Sequence, residues 1–462
     1  MDARAATVRG GEVAMTDTTG NGLVDAALDR LARTDQQEAD AARAAFASLT
    51  WGGGPESVTL YGLCDWLWYR LPAKWMCGMT EHLQLAGALG TLFGLLEMPR
   101  YARMCTSETT VNVLAAWDRD RKEGLKAMMA ARAASGVGPR DVPGLLTWGK
   151  VMGTEENSAL FATAARLEMM IAAGEFRPGA RGWRKAAEQA AAAFLVTPRD
   201  DLGGDCWLQR VHAERLQDWA RSRGSRRGTL AAALADQLAV PVPVPRQAAE
   251  LMAPVSWLLR KAAHDGEIPL TQSYTLARAV VAEGCQRFGW LTVSGRPRSE
   301  SDIVEAWTLR TIIRELGAVR RQGRRLYLTS AGKNLATAGT SVMWSAVMPT
   351  VIPASRAEAA AAEIGLMFLL ARGGGADEDL AAAVADAMAA EGWHSPDSGQ
   401  PIDAVAAGWL IGELHRRMRL LGLLEHRRGG AAARLTVPGR AAAHAALRAR
   451  ALRPRVSAGG AG

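Results

Sequence analysis

The segment "RTIIRELGAVRRQGRRLYLTSAGKNL" (residues 310–335) runs as a helical pattern, a glycine, a basic ribbon and a Leu-Thr step. About a hundred residues later the chain repeats that order as "GELHRRMRLLGLLEHRRGGAAARLTVPGRAA" (412–442). A chain that carries the same local pattern twice is constrained to build the same supersecondary unit twice. Gly317 corresponds to Gly422, Leu328-Thr329 to Leu435-Thr436, and Gly332-Lys333 to Gly439-Arg440, while "FGW" (288–290) echoes "EGW" (391–393). The two glycines of a copy lie 15 residues apart in the first and 17 in the second, a difference that a hairpin tip tolerates. Gly317 or Gly422 supplies the left-handed turn that stops a helix. Gly323 or Gly429-Gly430 makes the hairpin tip, and the threonine caps the following helix.

Apolar periodicity predicts helices near 248–263, 273–288 and 301–316, then strand character in "RLYLT". The second copy has helices near 357–371, 377–391 and 403–421, then "RLTV" (434–437). The expected fold class is mainly α, with two tandem winged-helix-like units, 248–340 and 341–450, each of three helices plus a β-hairpin. Ahead of them helical patterns fill 23–49, 58–75, 106–136, 155–174, 181–195 and 206–222. No strand is expected before residue 290, so residues 23–222 read as an all-helical, Trp-rich domain. The "VPVPVP" run (240–245) favours extended backbone, because each proline fixes its own φ and restricts its predecessor, and 223–247 reads as a Pro-rich linker. Residues 1–22 and 451–462 are expected to be disordered, and either Met1 or Met15 serves as the start.

Charge is uneven along the chain. The net charge of +8 divides into −1 over residues 1–200 and +9 over 201–462, which places any polyanionic partner in the second half. On the repeats, Arg310 and Arg314 share a helix face at i, i+4 spacing, as third-helix partners of Arg416 and Arg417. Arg320, Arg321, Arg324 and Arg325 cluster on the first ribbon, followed by Lys333, and Arg427, Arg428 and Arg434 on the second. Arginine suits this role because its planar fork grips phosphate or guanine at two points. The five cysteines are odd in number and widely spaced, which excludes a disulfide framework and a zinc cluster and fits reduced thiols in a cytoplasmic protein. The longest apolar run, "LQLAGALGTLFGLLEM" (83–98), is too short to span a membrane, and the polar, Gly-rich residues 1–22 carry no secretory signal.

Helix, small-residue stop, basic ribbon and L-T-x-x-G-[KR] together resemble winged helix-turn-helix regulators, including the multiple-antibiotic-resistance repressor type. That resemblance implies a third helix in the major groove and a wing on phosphate. The stretches "DGEIPLTQSYTLARAVV", "SGRPRSESDI" and "ELGAVRRQGRRLYLTSAGK" are similar to a segment, about 254–335 here, of uncharacterised actinobacterial proteins named for a plasmid open reading frame associated with insertion sequences. "LWYRLPAKW" is similar to other uncharacterised actinobacterial proteins. Neither similarity implies an activity.

Catalytic chemistry is hard to assemble from these residues. No pair among the seven histidines has metal-ligand spacing with an acid on the same face, and they read as surface groups. "SAGKN" (330–334) lacks the rest of a phosphate-binding loop, and "RGGGADEDL" (372–380) lacks calcium-loop spacing. No catalytic residue, metal or cofactor is expected. Trp66, Trp68 and Trp75 stand close together and are either core anchors or the lining of a pocket for a ligand or a partner helix. The reading that follows is a non-enzymatic protein that binds double-stranded DNA through two basic winged-helix units, as a transcriptional regulator would. The alternative is a scaffold whose winged helices and Trp-rich domain bind protein.

Overall fold

The computed structural model describes residues 18–221, 224–290, 299–372, 376–396, 398–425 and 433–456. The architecture is mainly α-helical, with one small sheet among the described residues. The chain divides into two compact units, Met1–Val211 and His212–Gly462.

The first unit is helical throughout its named elements, but two segments that read as single helices are each broken into two. Residues 23–49 form Thr18–Ala32 and Gln36–Thr50, and residues 106–136 form Glu108–Arg119 and Arg121–Ser135. An aspartate restarts the helix in both cases. Asp35 accepts from the Glu38 amide at 3.0 Å, and Asp120 from the Lys122 and Glu123 amides at 2.8 and 3.2 Å. "DQQE" and "DRKE" both place a glutamate three residues after the capping acid, a start signal within an otherwise continuous periodicity.

Trp66 and Trp68 are fully buried here as core anchors. Trp66 Nε1 donates to Ser48 Oγ at 3.1 Å, Trp68 Nε1 to Thr110 Oγ1 at 3.0 Å, and Trp75 stands edge-on to Trp66 with ring centroids 6.0 Å apart. Pro72 explains the local geometry. It has no amide to donate to Trp68 four residues back, and the Trp68 carbonyl accepts from Trp117 Nε1 at 2.9 Å.

The second unit begins well before the expected boundary. Beyond Trp207–Arg221, its helices of seven residues or more are α1 (Ser225–Ala239), α2 (Ala253–Asp265), α3 (Arg278–Phe288), α4 (Val304–Glu315), α5 (Ser330–Ala336), α6 (Thr340–Val347), α7 (Arg356–Arg372), α8 (Asp377–Ala390), α9 (Ala404–Leu420) and α10 (Val437–Ala451). Strands β1 (Ile268–Pro269), β2 (Val319–Gln322) and β3 (Arg325–Leu328) form an antiparallel sheet in the order β1-β3-β2. Strand β1 lies before residue 290, where none was expected. Its Pro269 is tolerated because β1 is an edge strand.

Most of the region read as a linker is helix α1, which buries Ala231, Leu234 and Leu238 against α7, α8 and α10. The buried Glu363 of α7 explains why α1 is held. It takes Arg227 of α1 at 2.6 Å, Arg450 of α10 at 3.1 Å and the indole of Trp219 at 2.7 Å. The prolines fall in 241–245, which belong to no helix or strand, and Val240 ahead of them has extended backbone (φ −98°, ψ 127°). One continuous apolar core runs from Leu216 to Ala451, so both copies of the repeat share it. His82 and His444 are also buried rather than at the surface.

Candidate nucleic-acid interface

The two glycine-threonine turns are built from the same hydrogen bonds. Gly317 (φ 61°) and Gly422 (φ 63°) both take the left-handed conformation, after which Ala318 N donates to Ile313 O and Leu423 N to Met418 O, at 3.1 and 2.8 Å. The returning strand closes on the residue after each glycine: Thr329 N donates to Ala318 O at 3.0 Å and Thr436 N to Leu423 O at 3.1 Å. Each threonine hydroxyl then accepts from the glycine three residues on, Gly332 N at 3.1 Å and Gly439 N at 3.0 Å. A Cβ on Gly332 would sit 1.9 Å from Ala318 O, and one on Gly439 2.0 Å from Leu423 O. Glycine stands at both positions because the preceding turn leaves no room for a side chain.

In the first copy the ribbon is a hairpin with a two-residue turn. Gln322 pairs with Arg325, and Gly323 (φ 59°) takes the first turn position, which suits the twist of the strands. Strand alternation buries Val319 and Leu326 and leaves Arg320 exposed. Arg321 and Arg324, nearer the turn, are exposed as well. Arg320 lies over the Tyr327 ring at 5.9 Å and Arg321 over the Tyr274 ring at 4.2 Å. Neither they nor Arg324 has a carboxylate partner among the described residues. Arg325 is different, since it pairs with Glu267 at 2.6 Å, a carboxylate that also accepts from Tyr327 Oη at 3.1 Å. Lys333 is exposed one turn beyond the hairpin.

Tyr274 was missed in the sequence. It belongs to the loop after β1, where Leu270 N donates to Arg324 O at the hairpin turn and Thr271 N to Thr275 O, both at 2.8 Å. The loop thus lies beside the hairpin tip. Tyr274 is 48% exposed and has φ 61°, a costly backbone for a residue of its bulk. Its aromatic character in "TQSYT" was visible, but its place beside Arg321 depends on a two-residue strand that carries no periodic signal.

The third helices differ from expectation. Arg310 is turned inward, with Nε 2.8 and 3.0 Å from the two oxygens of buried Glu300, whose carboxylate also accepts from the Leu276 amide. Arg417 is 1% exposed. Its guanidinium reaches Glu413 at 2.7 Å, Glu315 of α4 at 2.5 and 2.8 Å, and Thr350 O at 2.6 Å. Burial opposes its charge, but hydrogen bonds to Glu315 and Glu413 outweigh this and raise its pKa above the ordinary arginine value. Arg416 bonds Glu413 at 2.9 Å and lies 5.5 Å over the Trp307 ring of α4. So α4 and α9 pack on each other through residues expected to face a groove. Arg310 and Arg417 are spent inside the fold; Arg314 stays exposed, as does Arg419 at the corresponding position of α9. In the second copy Leu424 bridges to Leu435 and Arg434 is exposed, while Arg427 and Arg428 lie outside the described residues.

Residues 247–341 match the family described as the Y4jL N-terminal domain, a span that encloses α2 through α5 and the whole three-stranded sheet. No curated protein and no solved structure matches the chain.

Two of the cavities among the described residues are well formed, and neither is lined by Trp66, Trp68 or Trp75. In the first unit a cavity of about 330 Å³ lies beside Trp51, Asp65, Arg70, Asn157 and Phe161. Trp51 is 83% exposed, with Arg70 stacked 4.5 Å over its ring. In the second unit a cleft of about 500 Å³ is lined by Trp257, Arg260, Lys261, His264, Glu283 and Arg287. Its Lys261 is held by Asp265 and Glu283 at 2.9 and 3.0 Å. No cluster of three metal-ligating side chains occurs among the described residues, and no helix there is long and apolar enough to cross a membrane.

Proposed function

We propose that this chain is a non-enzymatic protein that binds double-stranded DNA through two tandem winged-helix units in its second half, as a cytoplasmic regulator does. The observation that carries the reading is the first hairpin, where Arg320, Arg321 and Arg324 are exposed with no carboxylate partner among the described residues. The element order α2-β1-α3-α4-β2-β3, with β1 closing on β3, supports a winged helix whose wing is this hairpin. The matching hydrogen bonds at Gly317 and Gly422 support a second unit built on the same plan. The +9 charge of residues 201–462 supports a polyanion as partner.

Fluorescence anisotropy of the full chain with a labelled duplex across a salt series tests the reading. Affinity should fall linearly in log salt as bound counterions are released. Absence of binding at low salt would remove it.

A second reading, a protein-binding scaffold, is favoured by Val405 and Trp409, which are 70% and 79% exposed one turn apart on α9. Large apolar side chains exposed together on one helix face suit a protein contact. If that reading holds, the chain binds no duplex at any salt concentration, and the surface around Trp409 carries the interaction.

A further inference from the structure

We infer that the first winged-helix unit contacts DNA with a shelf formed by its hairpin and the loop of Tyr274, and that α4 and α9 do not read bases. The inference rests on the DNA reading and specifies the contact surface and its chemistry.

Direct readout in the major groove needs side-chain donors and acceptors that reach base edges. On α4 the exposed positions include Val304 and Trp307, 51% and 38% exposed. The hydroxyl of Thr311 is turned back on Trp307 O at 3.0 Å, and Arg310 is committed to Glu300. On α9 the outward positions include Val405, Gly408 and Trp409. Arg417 is buried between two carboxylates, and Arg416 is held by Glu413 and the Trp307 ring. The groove-facing chemistry of a reading helix is therefore largely missing from both. Arg314 and Arg419 remain, each next to the glycine turn that leads into its hairpin, where they can add phosphate contacts.

The shelf has the opposite character. Arg320, Arg321 and Arg324 project from one hairpin, and Glu267 beside them is already neutralised by Arg325. The Tyr274 ring holds the Arg321 guanidinium at 4.2 Å, fixing a cation that would otherwise sample many rotamers. The hydroxyls of Thr271, Ser273 and Thr275 bond one another in the same loop, at 2.7 and 3.1 Å. Left-handed backbone at a bulky exposed residue persists only where the surroundings enforce it, and it concentrates at functional sites. A rigid, cationic, hydroxyl-lined shelf without base-reading groups suits sugar and phosphate, so it recognises duplex DNA of any sequence.

The test uses the full chain and two duplexes of equal length and unrelated sequence, read by anisotropy between 50 and 200 mM salt. Wild type should bind both within a few-fold. Arg320→Ala/Arg321→Ala/Arg324→Ala should make the log–log salt slope shallower by about 2.7, at roughly 0.9 per phosphate lost, equivalent to about 40-fold across that salt range. Tyr274→Gly, which also relieves the backbone, should weaken binding about fivefold, the order of one cation–π contact. The triple Arg→Lys variant keeps the charge and should retain the slope, which separates lost contacts from misfolding. If wild type binds neither duplex, the DNA reading itself fails. Binding that survives the wing triple with an unchanged slope, or that prefers one duplex more than 100-fold, overturns the shelf while leaving DNA binding intact.

Discussion

Replacing Arg417 with methionine should destabilise the second unit far more than removing any exposed arginine near it. The side chain is 1% exposed and satisfies three acceptors at once: Glu413, Glu315 and the Thr350 carbonyl. Methionine fills much of the volume but leaves Glu315 without its two donors and Glu413 with Arg416 alone. Breaking a buried ion pair from one side costs about 3–5 kcal/mol, because the remaining charge stays desolvated. With a urea m-value of about 2–3 kcal/mol/M for a unit of this size, the midpoint should fall by roughly 1.5 M. Hydrogen exchange on peptides from α4 and α9 assigns the change to this unit, and peptides from Met1–Val211 should keep their protection. Arg416→Ala, which removes a partly exposed pair, should cost no more than about 1 kcal/mol. The triple variant Glu315→Leu/Glu413→Leu/Arg417→Met should recover part of the loss, since apolar replacement of a buried ion pair such as Arg417–Glu413 is often neutral. A cost below about 1 kcal/mol for Arg417→Met would refute the claim that this guanidinium holds α9 to α4.

Further expectations follow from the repeated turn and from one histidine. Gly332→Ala and Gly439→Ala should each cost at least about 2–3 kcal/mol in denaturant titrations, because the new methyl meets a carbonyl at 1.9 or 2.0 Å. Thr329→Val and Thr436→Val remove the helix cap at equivalent sites and should each cost about 1–2 kcal/mol; unequal losses would show that the two turns are not equivalent. Burial, together with Arg448 and Arg215, lowers the His212 pKa from 6.5 to about 4. The unfolded chain therefore takes up a proton that the folded one refuses. The stability linked to His212 is complete above pH 6.5 and is lost as pH falls toward 4, by up to about 3 kcal/mol. His212→Gln should flatten the stability profile across that window, and an unchanged profile would remove His212 as its source.

Much of the helical framework was legible because amphipathic periodicity survives in long helices, and the two glycine-threonine landmarks marked turns that only glycine can make. The misreadings have physical causes. Asp35 and Asp120 restart helices without interrupting the apolar stripe, so their capping role shows only in the acid-to-glutamate spacing. Strand β1 is two residues long, and pairing with β3 rather than propensity makes it a strand. The prolines of 240–245 dominated the reading of their surroundings, whereas the buried pairs of Arg227 with Glu363 and Glu391 decide where α1 goes.

The arginines of the third helices give the sharper lesson. Arg416 and Arg417 are neighbours in a basic run, and charge counting treats them alike. Helical geometry does not: Arg417 lies four residues after Glu413, beside the buried stripe of Ile411, Leu414 and Met418, whereas Arg416 follows Val405, Trp409 and Gly412 on the outer face. A cation on the apolar stripe must bring its own carboxylate, and Glu413 at i−4 supplies it. Arg310 differs in having no acid at that spacing on its own helix; its partner Glu300 sits in the turn ahead of α4. Glu413 holds both arginines, so in α9 it is the position on the apolar stripe that separates the buried Arg417 from the partly exposed Arg416, while in α4 only the packed fold tells. On the hairpin only Arg325 is committed, to Glu267 ahead of β1; Arg320, Arg321 and Arg324 stay exposed, since a two-stranded ribbon with a two-residue turn has little interior in which to spend a charge.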